Sequence, residues 1–71
     1  MSESVYKIIE LVGTSSESWE KAAQNAISKA SETLRELRIA EVCSMDLTIK
    51  DGRVESYRTK LKVSFKFEGH H

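Results

Sequence analysis

The sequence predicts an α+β domain in the order strand, helix, strand, strand. Three observations predict it. A run of β-branched and aromatic residues opens the chain, one apolar stripe recurs at spacings of three and four in the next segment, and Asp51-Gly52 separates two alternating runs. A crossover through the helix makes the first two strands parallel, and the hairpin return then lies between them. The expected architecture is a three-stranded, antiparallel-type sheet of order 1-3-2 wrapped on one long helix. At 71 residues, with 39% hydrophobic and 31% charged side chains and no proline, the chain is one globular domain spanning 1–71. Residues 1–3 and 69–71 are expected to be flexible tails.

The first strand is expected from Val5 to Val12, closed by Gly13-Thr14-Ser15-Ser16. Its alternate positions, Val5, Lys7, Ile9, Leu11 and Tyr6, Ile8, Glu10, Val12, carry apolar groups on both faces, so both should be at least partly covered. The helix is expected from Glu17 to about Leu37, with Trp19, Ala22, Ala23, Ala26, Ile27, Ala30, Leu34 and Leu37 on its inner face. Thr14, Ser15 and Ser16 are all competent N-caps, and Thr14 with Glu17 has the spacing of a capping box.

In the second strand, expected from Arg38 to Ile49, the set Ile39, Cys43, Met45, Leu47, Ile49 alternates while Ala40 and Val42 take the other parity. A bulge near Glu41 to Ser44 reconciles the two sets. Asp51-Gly52 suits a two-residue hairpin because both positions need positive φ. The third strand is the most regular, with Tyr57, Thr59, Leu61, Val63, Phe65 and Phe67 on one side and Arg58, Lys60, Lys62, Ser64 and Lys66 on the other.

Eleven Lys and Arg balance eleven Asp and Glu, so no overall field draws nucleic acid or an anionic membrane. The strip of Arg58, Lys60, Lys62 and Lys66 has no interleaved aromatic for base stacking and reads as a wetted or paired sheet face. No apolar run reaches membrane-spanning length, and Met1-Ser2-Glu3-Ser4 lacks signal-peptide character, which predicts a cytoplasmic protein. Catalysis is not expected. Both histidines, His70 and His71, sit in the tail, no glycine-rich phosphate loop follows a strand, and Cys43 has the placement of a small buried hydrophobe. A lone chain this short buries only about 60% of the surface it exposes when unfolded, and one cysteine forms no internal disulfide. Self-association is the expected remedy.

The chain resembles the dodecins, small proteins that assemble into hollow homododecamers and bind flavins. The resemblance is carried by Val5-Tyr6-Lys7, Glu10-Leu11-Val12-Gly13-Thr14-Ser15, the alanine-rich helix, Ala40-Glu41-Val42 and Tyr57 through Phe67. It implies a homododecameric shell with ligand pockets at subunit contacts, and a ligand set of Ile39, Glu41, Met45 and Arg58 holding FMN or riboflavin. Two positions depart from the family's pattern. Ile39 stands where the family has a tryptophan stacked on the isoalloxazine ring, and Arg58 where it has a glutamine that bonds the ring edge. Bacterial members also often carry Arg-Gly where this chain has Asp46-Leu47, which marks a divergent subgroup. Isoleucine forfeits the roughly 0.5–1.5 kcal/mol of stacking, and arginine donates hydrogen bonds but accepts none.

Two readings follow. One is a flavin-storing shell with Ile39 as a hydrophobic clamp and Arg58 aimed at carbonyl or phosphate oxygens. The other is a shell that binds no flavin and is either purely structural or a calcium binder, with Asp46 or Glu41 repeated by symmetry around a cation such as Ca²⁺.

Overall fold

The computed structural model of the protein describes residues 4–66. It contains β1 (Tyr6–Ser15), α1 (Trp19–Ala30), β2 (Leu37–Lys50) and β3 (Arg53–Lys66). The sheet order is β1-β3-β2, and both outer strands run antiparallel to β3, as the sequence predicts. Phe67 and the terminal tails lie outside the described residues.

Strand β1 runs three residues past the expected end, pairing Gly13, Thr14 and Ser15 with Thr59, Arg58 and Tyr57. Gly13 makes no turn. It lets the helix lie directly on the strand, because a Cβ there would stand 1.9 Å from the Ala22 carbonyl oxygen and 3.0 Å from the Ala26 Cβ. The turn falls at Ser16 to Ser18 instead. Ser15 Oγ accepts from the Glu17 amide (2.9 Å), and Ser18, not Thr14, caps the helix by accepting from the Lys21 amide (3.0 Å).

The helix ends at Ala30, a full two turns short of Leu37. Ser31 caps it, the Leu34 amide bonds the Ala30 carbonyl, and Glu36 adopts φ 61° before the chain enters β2. The Lys66 amide donates to the Glu36 carbonyl, which ties this left-handed residue to β3. Leu34 and Leu37 fit the helical period yet lie outside the helix; Leu37 is the first residue of β2, opposite Phe65.

Ala22, Ala26 and Ala30 form the buried stripe of α1, against Thr59, Leu61 and Val63 of β3, each about 1% exposed. Ile9, Leu11, Ala23, Ile27 and Leu37 pack around them. Thr59 satisfies its hydroxyl by donating to the Trp19 carbonyl (2.9 Å).

The bulge in β2 falls within its expected span. The register moves from Val42↔Leu61 to Ser44↔Lys60, which leaves Cys43 as the extra residue. Ala40 and Val42 thereby join Met45 and Leu47 on the helix side. Cys43 is exposed, in contrast to the burial expected from alternation, because an unpaired bulge residue follows neither parity. Two further shifts occur at Leu37/Ile39 and Thr48/Ile49. At the hairpin tip Asp51 and Gly52 have φ 54° and 73°, as a type I′ turn requires.

The helix covers part of the sheet only. Twelve residues rise about 18 Å, whereas the 14-residue strands β2 and β3 extend about 46 Å. The helix packs on β1 and β3, and β2 is left open. Val42, Met45 and Leu47 on its helix side are 51%, 56% and 38% exposed. On the other face of the sheet Ile8 and Val12 are also exposed, so within one chain β1 is covered on a single face.

Candidate functional site

The outward face of the sheet is built from charged residues held in cross-strand register. β3 contributes Arg58, Lys60, Lys62 and Ser64; β2 places Asp46 opposite Arg58, Glu41 opposite Lys62 and Ile39 opposite Ser64; β1 places Glu10 opposite Lys62 and Thr14 opposite Arg58. Lys60 Nζ meets Glu10 at 3.4 Å. The cations of this strip are interleaved with carboxylates from both neighbouring strands.

Arg58 and Asp46 form the tightest unit of the face. Nε donates to Oδ1 at 2.7 Å and Nη2 to Oδ2 at 2.9 Å, a two-pronged contact. These hydrogen bonds, with the guanidinium's charge, hold the Asp46 carboxyl below the ordinary aspartate range, and the same contact pushes Arg58 further up. The backbone of Asp46 is anchored separately, since the Trp19 indole N–H donates to its carbonyl oxygen at 3.0 Å. Trp19 in turn meets Tyr57 edge-on, with centroids 5.1 Å apart and planes at 81°.

This group joins the start of the helix, the middle of β2 and the inner face of β3. Nothing in the sequence spacing announces it, because Trp19 and Asp46 are 27 residues apart; the available signal was an indole near an expected helix start, next to a turn that brings β3 underneath.

The four residues expected to hold a planar ligand are not one cluster within a chain. Arg58 and Ser64, the partner of Ile39, are six residues apart on β3, which puts Ile39 and Arg58 about 20 Å apart. Ile39 is 68% exposed and borders a groove of about 170 Å³ with Ile27, Leu37, Arg38, Ala40 and Val63. Met45 borders a different groove, about 270 Å³, with Trp19, Glu20, Ala23, Val42 and Thr59. Glu41 lies between, opposite Lys62.

The two candidate cation ligands are likewise separate. Their β3 partners, Arg58 and Lys62, are four residues apart, so Asp46 and Glu41 lie about 13 Å from each other. Among the described residues no group of three or more His, Cys, Asp or Glu side chains converges in a way that could hold a metal ion. Any site using Ile39 with Arg58, or Asp46 with Glu41, needs more than one chain.

The family model described as Dodecin matches residues 5–68, nearly the whole of this strand-helix-strand-strand chain. The chain belongs to the dodecin family. Its relatives include the calcium dodecin of Mycobacterium tuberculosis, 43% identical over 89% of each chain. The dodecin of Thermus thermophilus is 45% identical over 90% of this chain and 93% of its own. Among solved structures, the Streptomyces coelicolor dodecin superimposes with a TM-score of 0.93 at 38% identity, covering 99% of this chain and all of that one. This dodecin therefore shares the family's full fold, and no helix among its described residues is long and apolar enough to cross a membrane.

Proposed function

We propose that this dodecin is a cytoplasmic, non-enzymatic binding protein that assembles into a homododecameric shell and sequesters a flavin, FMN or riboflavin, at its subunit seams. One observation carries the reading: Ile39 and Arg58, the two positions the family uses on the ligand, stand about 20 Å apart on one chain yet both face outward from it. Two copies meeting across an axis bring such residues to one ring. The exposed apolar positions of β2 give the copies a reason to meet.

At that seam Ile39 clamps the ring by dispersion and Arg58 donates to a carbonyl oxygen. Storage, not turnover, is the activity. The test is to mix the purified protein with riboflavin or FMN and follow fluorescence, with native mass spectrometry reporting stoichiometry and cargo. Quenching saturating at micromolar protein is expected, and emission at the free-flavin level would sink the reading.

A second reading, calcium binding at symmetry-related carboxylates, is favoured by the 43% identical calcium dodecin. Asp46 would first have to leave Arg58, which holds both of its carboxylate oxygens, whereas Glu41 stands opposite Lys62 across the strand pair. Calorimetric titration with Ca²⁺ tests it, and the absence of both heat and a rise in Tm rejects it.

A further inference from the structure

We infer that Arg38 is a ligand-contacting residue of this dodecin, its flat guanidinium laid against the dimethylbenzene end of a flavin ring where that end enters the groove beside Ile39. This rests on the flavin reading above and fixes which way the ring lies. The pairing with β3 passes from Leu37↔Phe65 to Ile39↔Ser64, which makes Arg38 the extra residue of a bulge. Successive residues of a regular strand point to opposite faces, and a bulge re-aims them. Arg38 and Ile39 accordingly border one groove.

The rest of that groove's lining, Ile27, Leu37, Ala40 and Val63, is apolar, and its volume is about 170 Å³. An apolar cavity of about 150 Å³ holds a benzene ring. The two ends of a flavin ring differ in polarity, since one carries the carbonyls and a ring N–H and the other is a benzene ring with two methyls. Carbonyls placed in an apolar groove lose their hydrogen bonds to water, whereas the methylated end has none to lose and gains burial. The flavin reading gives the carbonyl end to Arg58. The methylated end is the one left for the groove.

Arg38 supplies there what Ile39 lacks. A guanidinium is planar and stacks on aromatic faces, which an isoleucine cannot do. Arg38 Nη2 donates to Glu36 Oε1 at 2.6 Å, and both side chains are about half exposed. A carboxylate bonds a guanidinium in its plane, so this contact restrains the group at an edge and not across its face. The same hydrogen bond, with the Arg38 charge, holds the Glu36 carboxyl below the ordinary glutamate range. The pair is therefore ionised at neutral pH, and an uncharged ring meets a balanced charge.

The test uses the whole protein, titrated calorimetrically with riboflavin and with riboflavin lacking both ring methyls. R38K keeps the charge and loses the plane, R38M keeps only the stem, and A40L fills the groove from an exposed position. Riboflavin should bind R38K and R38M about threefold more weakly than the wild type, the scale of an exposed stacked cation. The demethylated flavin should bind the wild type at least about fivefold more weakly than riboflavin does, and A40L should bind the two equally.

Wild-type affinity in either Arg38 variant overturns the plate. So does a loss that comes, in both variants, with a lower melting temperature or a smaller particle by light scattering, since that is a structural role. Equal binding of the two flavins by the wild type overturns the seat in the groove. If the wild type takes up neither flavin, the flavin reading itself falls and the plate falls with it.

Discussion

Gly13 is the residue on which the contact between helix and sheet depends. Its missing side chain leaves the space that the Ala22 carbonyl fills, and a backbone atom cannot swing aside as a side-chain tip can. Gly13→Ala is expected to destabilise by at least about 3 kcal/mol, the upper end for overpacking, read as a lower urea midpoint at unchanged m-value. From sequence alone Gly13 read as a turn residue, because a glycine before three hydroxyl residues carries turn chemistry; the close approach of a helix ten residues later left no local trace.

Asp46 gives a second residue-level prediction. Its folded-state carboxyl is held low by Arg58, so the pair stabilises above the unfolded aspartate pKa of about 3.9 and loses that contribution as pH falls through the lower folded value. In Asp46→Asn the fall in urea midpoint below about pH 4 should be shallower than in the wild type. Equal slopes would show that the pair does not couple to folding.

At the scale of elements, the third strand, the Asp51-Gly52 turn and the bulge in β2 were legible because each rests on a short-range rule: alternation, positive φ, and two apolar sets of opposite parity. The end of the helix was not. Ser31-Glu32-Thr33 contains neither glycine nor proline, while Leu34 and Leu37 continue the helical period. What stops the helix is tertiary, since Leu37 and Glu36 are drawn onto β3 through Phe65 and the Lys66 amide.

The helix start likewise moved to Ser18, whose side chain bonds the Lys21 amide. Ser18→Ala should cost about 1 kcal/mol by thermal melting, and Ser16→Ala close to nothing, the reverse of what the upstream serines alone suggest. Cys43 occupies the bulge, so Cys43→Ala is expected to shift stability by no more than about 0.5 kcal/mol. Its deletion would leave Val42 and Ser44 opposite Leu61 and Lys60 in unbroken alternation, so the inner and outer sets are kept and the circular-dichroism spectrum should remain that of the folded protein.

For the molecule as a whole, the candidate site was legible as a set of residues and not as a place. Ile39, Glu41, Met45 and Arg58 are distributed along the hairpin, with Ile39 about 20 Å from Arg58, farther than one isoalloxazine ring reaches, and only their strand register exposes this. The open face of β2 is the related prediction. Val42→Lys, at a half-exposed apolar position on the helix side, should leave the chain's secondary structure intact and reduce the particle mass seen by light scattering. An unchanged mass would show that this face does not join the copies.

A helix spanning less than half the length of its own hairpin also has a thermodynamic corollary. On the shell proposed above, what completes the core arrives from another molecule, and stability then obeys mass action. Dilution alone should then lower the melting temperature of this dodecin, without any denaturant.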